Sequence, residues 1–353
     1  MTSQNTVGEC YFLDVGQGSS NVILLGGGRG IVIDCSSQAH VPLKLLKRYV
    51  DRIIALVVSH NDHDHHGGSA GIVAAYPRAI DHLYFLQDRP VEQIGLYAVV
   101  QDALNRGLMV NPPIRLERQE GPRILYEDPT TDLSLELLFP TFLDNLEAQD
   151  AASPNATSGV LALLCGNRKI VFSGDSTLGN WQLIQRRLGS PVSCDVLTVP
   201  HHGGNVVTTR QKNESPQQHE IRTASELDWL YTKAVHCKHA VISVGTSNQH
   251  RHPNTLTVAA LRRSGASVLC TQITHQCHDD LESLRPGVIQ PPVPSRSTRL
   301  QDLTRSGRSR NVACTGTVIC EVGPTQLTIR QSHAHQQAVD RMAGRADAHP
   351  LCR

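Results

Sequence analysis

The chain has 353 residues, a formal net charge of +1 and 39% hydrophobic residues, which is the usage of a globular protein with a real core. So small a charge excludes global electrostatic attraction to nucleic acids or membranes, and any such partner needs a local patch. The first ten residues do not resemble a signal peptide, and no apolar run approaches the ~20 residues of a membrane helix. We therefore expect a cytoplasmic protein without membrane contact.

Strand and helix patterns alternate in the first two thirds of the chain. Four apolar runs before residue 60, CYFLDVG, SNVILLG, GIVIDC and IIALVVSH, predict strands, with helical spacing at 41–50. Further helices are expected at 67–77 and 91–107. A second group of strands is expected between 123 and 200, including a hairpin around Gly166 and Asn167. This mixture predicts an α/β protein, either a four-layer αββα sandwich or another layered fold.

The last third of the chain changes character twice. Residues 205–234 are polar, and a strand at 239–245 and a helix at 255–265 follow. Residues 282–311 are rich in Pro, Ser and Arg and predict an insert, after which two strands extend to residue 330. We assign residues 1–330 to a single domain and 331–353 to a polar C-terminal tail.

Six arginines and one acid lie between residues 285 and 310 of this insert. One interpretation is a solvated linker. The other is a flexible arm that binds a phosphate backbone. Aromatic residues are not interleaved with the arginines, so base stacking is not indicated.

Residues with metal-ligand chemistry follow three predicted strands. The segment VVSHNDHDHHGG ends a buried strand and places His60, Asp62, Asp64 and His65 within six residues. KIVFSGDS places Asp175 after a second strand, and VLTVPHHGG places two histidines after a third. Imidazole and carboxylate groups at this density favour a divalent-cation site, with a solvated His/Asp-rich loop as the alternative.

The ten cysteines and the remaining histidine clusters show no framework spacing. We interpret the cysteines as reduced and mostly buried. HCKH (236–239) and HQCHDD (275–280) have ligand-like spacing, so a second, structural zinc site stays open as an alternative. HAH (333–335) is expected to be solvated.

Six segments in this order resemble the motifs of the metallo-β-lactamase superfamily: FLDVGQGSSNVIL, IVIDCSS, VVSHNDHDHHGG, IVFSGDS, LTVPHHGG and AVISVGTSNQHRHPN. More narrowly, they resemble the branch typified by the hydrolase domain of the DNA-uptake protein ComEC. The resemblance implies the αββα sandwich with metals at one edge. Asp62 replaces the usual second histidine, and Ser19 replaces the acid that this branch usually carries after GQG.

The resemblance also implies roles for individual residues and two divalent metal ions. His60 and Asp62 would bind one ion, Asp64, His65 and His201 the other, and Asp175 would bridge them. Three aspartates make manganese as plausible as zinc.

The candidate catalytic residues are Asp64, His202 and His252. His202 is expected to orient a ligand, and His252 to donate a proton to the leaving oxygen or a hydrogen bond to a phosphate.

The expected function is that of a metal-dependent hydrolase, a phosphodiesterase or nuclease that uses a bridging metal hydroxide. Its substrate would be a phosphodiester, with DNA as one candidate, and the sequence identifies no protein partner. The alternatives are a hydrolase of a small ester, lactone or thioester, and a non-catalytic metal-binding partner subunit.

Overall fold

The structure, a computed structural model, describes residues 6–86, 95–119, 121–148, 153–207, 209–246, 248–278 and 313–353. Within these residues the chain forms two β-sheets that face each other. The strands are β1 (Gly8–Phe12), β2 (Ser20–Leu24), β3 (Arg29–Cys35), β4 (Arg52–Val57), β5 (Ile80–Phe85), β6 (Ile114–Arg115), β7 (Arg123–Asp128), β8 (Leu133–Phe139), β9 (Val160–Cys165), β10 (Arg168–Phe172), β11 (Val192–Thr198), β12 (Val235–Ile242), β13 (Ser267–Cys270), β14 (Val318–Val322) and β15 (Leu327–Ile329).

Each sheet has an antiparallel half and a parallel half. The first sheet has the order β15-β14-β1-β2-β3-β4-β5-β6, and the second has the order β13-β12-β11-β10-β9-β8-β7. β3 to β6 are parallel neighbours, and so are β10 to β13. The predicted hairpin is confirmed, because Cys165 of β9 pairs with Arg168 of β10.

Helices cover the outer face of each sheet. They are α1 (His40–Tyr49), α2 (His63–His66), α3 (Ser69–Ala75), α4 (Gly95–Asn105), α5 (Phe142–Glu147), α6 (Leu178–Leu188), α7 (Pro216–Trp229), α8 (Thr255–Arg263) and α9 (Ser332–Ala343). Short 3-10 turns at Pro154–Thr157 and Pro200–Gly203 and a π turn at Leu230–Ala234 complete the regular elements of the described residues.

Three apolar clusters separate the layers. Alternate residues of β1 illustrate the pattern: Cys10 and Phe12 belong to the cluster between the sheets, whereas Tyr11 belongs to the outer cluster, which also contains residues of α1, α3 and α4. A third cluster packs α6, α7 and α8 against the second sheet. The predicted four-layer αββα sandwich is therefore confirmed, as a single domain.

Two polar segments are more ordered than their composition indicates. Part of 205–234 is the helix α7, which begins with a capping box between Ser215 and Gln218 and a proline at its start. The segment predicted as a tail contains α9, and it buries Val339, Met342 and Ala348. The predicted Arg-rich insert at 282–311 lies outside the described residues.

Candidate metal centre

The site lies at the edge where parallel strands of both sheets end. His60 follows β4, Asp175 follows β10, and His201 and His202 follow β11. Because the carboxyl ends of parallel strands meet at one edge of a sheet, ligands from distant parts of the sequence converge there. The structure brings together all the residues predicted as metal ligands.

His60, His65 and Asp175 form the buried floor of the site. Their potential ligand atoms all lie within 4.8 Å of one another. His65 Nε2 is 3.0 Å from Asp175 Oδ1, and His60 Nε2 is 3.8 Å from Asp175 Oδ2. The Asp175 carboxylate thus presents one oxygen to each imidazole.

Asp62 and Asp64 lie at the mouth of the site, with side chains that are 38% and 37% exposed. Asp62 Oδ2 is 3.5 Å from His60 Nε2. Asp64 Oδ2 is 3.2 Å from His202 Nε2, which is itself 3.2 Å from His65 Nε2. Two groups of ligand atoms therefore share the site, one around His60 and one around His65.

His201 and His202 face different groups although they are consecutive. Both have left-handed backbone, with φ of 52° and 53°. His201 Nε2 lies 3.8 Å from Asp175 Oδ2, on the side that His60 faces. His202, not His201, occupies the position beside Asp64 and His65 that the resemblance assigned to His201.

Asp34 orients the central imidazole. Its Oδ2 lies 2.7 Å from His65 Nδ1, and its carboxylate also accepts hydrogen bonds from the Ser59 N–H and hydroxyl, at 2.7 and 2.9 Å. His202 is oriented in the same way, since its Nδ1 lies 3.0 Å from the Ser243 carbonyl oxygen. With Nδ1 as donor, the Nε2 of each ring is left as an acceptor facing the site, the form that binds a metal.

Only glycine fits at position 174, where the backbone before Asp175 passes close to Ser158 and Ser59. Its φ is +51°, and a Cβ there would lie 2.4 Å from Ser158 Oγ and 3.0 Å from Ser59 Oγ. The same Ser158 hydroxyl accepts a hydrogen bond of 2.9 Å from the Asp175 N–H. Asp34, Ser59 and Ser158 were not predicted as site residues. The available signal was Asp34, a single acid in the apolar run GIVIDC.

Electrostatics keep the carboxylates of the site ionised. Burial favours neutral Asp175, but the nearby His65 and His202 outweigh it and hold the pKa of Asp175 well below its usual value. Burial likewise opposes ionisation of Asp64, but a hydrogen bond with His202 together with the charges of His65 and His202 outweighs it, so the pKa of Asp64 is also lowered. Burial lowers the pKa of His65, yet Asp175 and Asp34 raise it overall.

These residues fit divalent cations. Among the described residues, His60 Nε2 is buried without a hydrogen-bond partner. Metal–ligand bonds of about 2.0–2.2 Å place neighbouring ligand atoms about 2.8–3.6 Å apart in octahedral or tetrahedral centres. The separations of 3.0 and 3.2 Å between His65, Asp175 and His202 fall in this range.

His252 lies behind His201, with 5.4 Å between the ring centroids. Burial, followed by the neighbouring His201 and His202, lowers the pKa of His252 to about 4. The ring is therefore neutral near pH 7. Of the two roles expected for it, a hydrogen bond to a phosphate fits a neutral imidazole better than proton donation.

The turn at Gln17 and Gly18 supports the loop that carries Asp64. The Ser19 N–H donates a 3.0 Å hydrogen bond to the Asp64 carbonyl, and Gly18 accepts one of 2.7 Å from the Ser243 hydroxyl. Asp14, at the start of this turn, accepts a 2.7 Å hydrogen bond from Gln272 Nε2. Burial outweighs that hydrogen bond and raises the pKa of Asp14 to about 7.

The sequence model described as "Metallo-beta-lactamase superfamily" matches residues 14–213, more than half of the chain and all the candidate ligands. The chain belongs to the metallo-β-lactamase superfamily. It is accordingly a hydrolase of that superfamily, whose members bind divalent metals, typically zinc.

Curated relatives confirm the resemblance to the ComEC branch. The chain is 23% identical to competence protein ComA of Neisseria gonorrhoeae over 267 residues, covering 74% of this chain and 30% of ComA. It is 24% identical to ComE operon protein 3 of Bacillus subtilis over 286 residues, covering 75% of this chain and 32% of that protein. Recombination protein 2 of Haemophilus influenzae is 26% identical over 276 residues, covering 75% of this chain and 28% of that protein. The chain thus spans about a third of these relatives' length.

A solved metallo-β-lactamase fold protein, YhfI of Bacillus subtilis, matches with 14% identity and a TM-score of 0.41, over 74% of this chain and 95% of YhfI. That likeness is too loose to add to the assignment. Among the described residues, no helix is both long and apolar enough to cross a membrane.

Proposed function

We propose that the chain is a two-metal phosphodiesterase or nuclease. The observation that carries the proposal is the carboxylate of Asp175, which lies between two groups of ligand atoms and presents one oxygen to each. A shared carboxylate of this kind is how binuclear hydrolases hold two cations at bridging distance.

The ligands divide between the two ions as follows. His60 and Asp62 would hold the first, with His201 on the same side of Asp175. Asp64 and His65 would hold the second together with His202, whose Nε2 lies 3.2 Å from the nearest ligand atom of each of them. The resemblance assigned His201 to the second ion. Here His202 takes that place, and His201 lies on the side of the first ion.

Divalent cations held at these positions would supply Lewis acidity, which lowers the pKa of a bound water and stabilises negative charge on a phosphate. The chain's own residues do the rest. Asp34 and the Ser243 carbonyl orient His65 and His202. The neutral His252 ring binds substrate oxygen by hydrogen bonding, and the half-exposed Asp62 and Asp64 line the entrance.

A phosphodiester substrate is favoured over an ester by the ligand set. Three aspartates make an oxygen-rich centre, which suits manganese as well as zinc. The names of the relatives, which refer to competence and recombination, point to DNA among phosphodiesters. A phosphate-binding role for residues 282–311 and a cytoplasmic location remain predictions from the sequence.

The test is a metal-dependence assay on three substrates: single-stranded DNA, a small aryl phosphodiester, and a lactone. We expect chelation to stop hydrolysis of both phosphodiesters and re-addition of manganese or zinc to restore it. Turnover of the lactone alone would replace the proposal by the small-ester alternative. No turnover of any substrate by the metal-loaded chain would favour the non-catalytic alternative.

A further inference from the structure

Three residues far apart in the sequence form a second cluster with metal-ligand chemistry. The Cys314 sulfur lies 3.4 Å from His335 Nε2, and the Cys352 sulfur lies 3.7 Å from the same atom. All three potential ligand atoms lie within 4.8 Å of one another. Cys314 and His335 are buried and Cys352 is half-buried. We call these three residues the sulfur cluster.

The spacing of the sulfur cluster matches a zinc site. Zinc bonds of about 2.3 Å to sulfur and 2.0–2.1 Å to nitrogen place tetrahedral S and N ligands about 3.6 Å apart. The two S–N separations are 3.4 and 3.7 Å. The His335 imidazole is buried, and Cys314 lies in the apolar cluster that also contains Ile273 and Met342.

Backbone pairing brings the ligands together from three segments. The Cys314 N–H donates to the Thr271 carbonyl at 3.0 Å, next to Cys270. The His349 N–H donates to the Cys277 carbonyl at 2.8 Å, which aligns the C-terminal residues with the segment after β13. Cys270 and Cys277 are buried in the same apolar cluster as Cys314, and a backbone hydrogen bond from Leu351 reaches the Cys277 thiol. Each of these two thiols is therefore a candidate for the fourth ligand.

We propose that Cys314, His335 and Cys352 bind a structural Zn²⁺ ion, with Cys277 or Cys270 as the fourth ligand. Two or three thiolates with one imidazole are the ligand set of structural zinc, and soft sulfur ligands select zinc over manganese. This proposal is independent of the proposed function, because it uses none of the residues of the candidate metal centre.

The ion would stabilise the C-terminal segment on the domain. Binding free energy at a structural zinc site is folding free energy, because the ligands are dispersed when the chain is unfolded. Cys314 lies three residues before Thr317, whose hydroxyl accepts a 3.1 Å hydrogen bond from the Asp14 N–H. The bound ion thus stabilises the segment that supports the turn beneath the candidate metal centre.

Cobalt substitution of the 353-residue chain tests the proposal with a spectroscopic signature. Thiolate ligands give Co²⁺ an intense charge-transfer band in the near ultraviolet, which imidazole and carboxylate ligands do not. We expect the band in the wild type and in Asp175→Asn, and its loss in Cys314→Ser and Cys352→Ser. His335→Gln should weaken it. The zinc content of purified Cys314→Ser and Cys352→Ser should also fall by one equivalent relative to the wild type.

Cys320→Ser is the matched control, because Cys320 is a buried thiol that pairs with Cys10 across β14 and β1. It should keep both the band and the zinc. Cys352 is only half-buried, so its variant should fold even if Cys314→Ser, at a buried position, does not. Absence of the band in the wild type, its persistence in Cys352→Ser, or a Cys314–Cys352 disulfide seen as a loss of two hydrogens in the intact mass would overturn the proposal.

Discussion

The candidate metal centre and the sulfur cluster differ in where their ligands lie along the chain. Four of the centre's residues, His60, Asp62, Asp64 and His65, lie within six positions, whereas the three residues of the sulfur cluster are spread from 314 to 352. A compact run of ligands after a strand is visible in a sequence. Ligands that meet only when the C-terminal segment packs against β13 are visible only in the structure.

The two regions also differ in ligand chemistry. The centre offers carboxylates and imidazoles, with a half-exposed entrance at Asp62 and Asp64. The sulfur cluster offers thiols and one imidazole in a largely buried position. Exposed, oxygen-rich sites suit exchangeable metals and substrates, and closed, sulfur-rich sites suit structural zinc. One molecule would then hold two kinds of metal for two purposes.

The largest effect is expected at the shared carboxylate. Asp175→Asn should reduce phosphodiester hydrolysis to background and lower the metal content of the centre, because a neutral amide bridges two cations poorly. Metal analysis and a steady-state assay measure both effects. The exposed Asp102, on α4, offers the control Asp102→Asn, which should behave as wild type. Full turnover by Asp175→Asn with its metals intact would show that Asp175 is not the bridge.

The next effect separates two neighbouring histidines. His202→Ala should lower metal content more than His201→Ala, because His202 Nε2 lies 3.2 Å from both Asp64 and His65. His201 Nε2 comes no nearer to Asp175 than 3.8 Å and is partly exposed. Metal titration of the two variants, each reloaded from the metal-free form, makes the comparison. The reverse order would restore the division of ligands expected from the resemblance.

A smaller effect is expected at Asp34, which does not face the ions. Asp34→Asn removes the charge that orients His65, and loss of such a partner costs ~10–100-fold in metal affinity or activity. Metal dissociation constants and kcat should both change, while the cobalt–thiolate band of the sulfur cluster should not. If affinity for metal is unchanged, Asp34 serves the fold rather than the centre.

The smallest effect concerns the choice of metal, and it bears most directly on the comparison. After complete chelation, manganese should restore phosphodiester hydrolysis better than zinc, because the centre is oxygen-rich. Zinc should return preferentially to the sulfur cluster in the same experiment. Metal analysis of the Cys352→Ser and Asp175→Asn variants assigns each ion to its region. Restoration of activity by zinc alone would contradict the hard-ligand argument.

Much of the fold could be predicted because its hydrophobic periodicity is local. The run IIALVVSH predicts a buried strand, observed as β4, and the hairpin of β9 and β10 is as expected. α7 was not predicted, because its exposed face leaves only Thr223 and Leu227 buried and the apolar period is weak. His335 was expected to be solvated with its neighbours, but it is buried.

The sequence by itself predicted the fold family, through the resemblance of six ordered motifs, and it placed the candidate ligands in three segments that each follow a predicted strand. Only the tertiary structure decided that His202 rather than His201 lies beside Asp64 and His65, because that depends on left-handed backbone at both histidines. It also decided that Asp34 contacts His65, and that Cys314, His335 and Cys352 meet. Contacts of these kinds depend on how distant segments pack, and no local pattern of residue types records that packing.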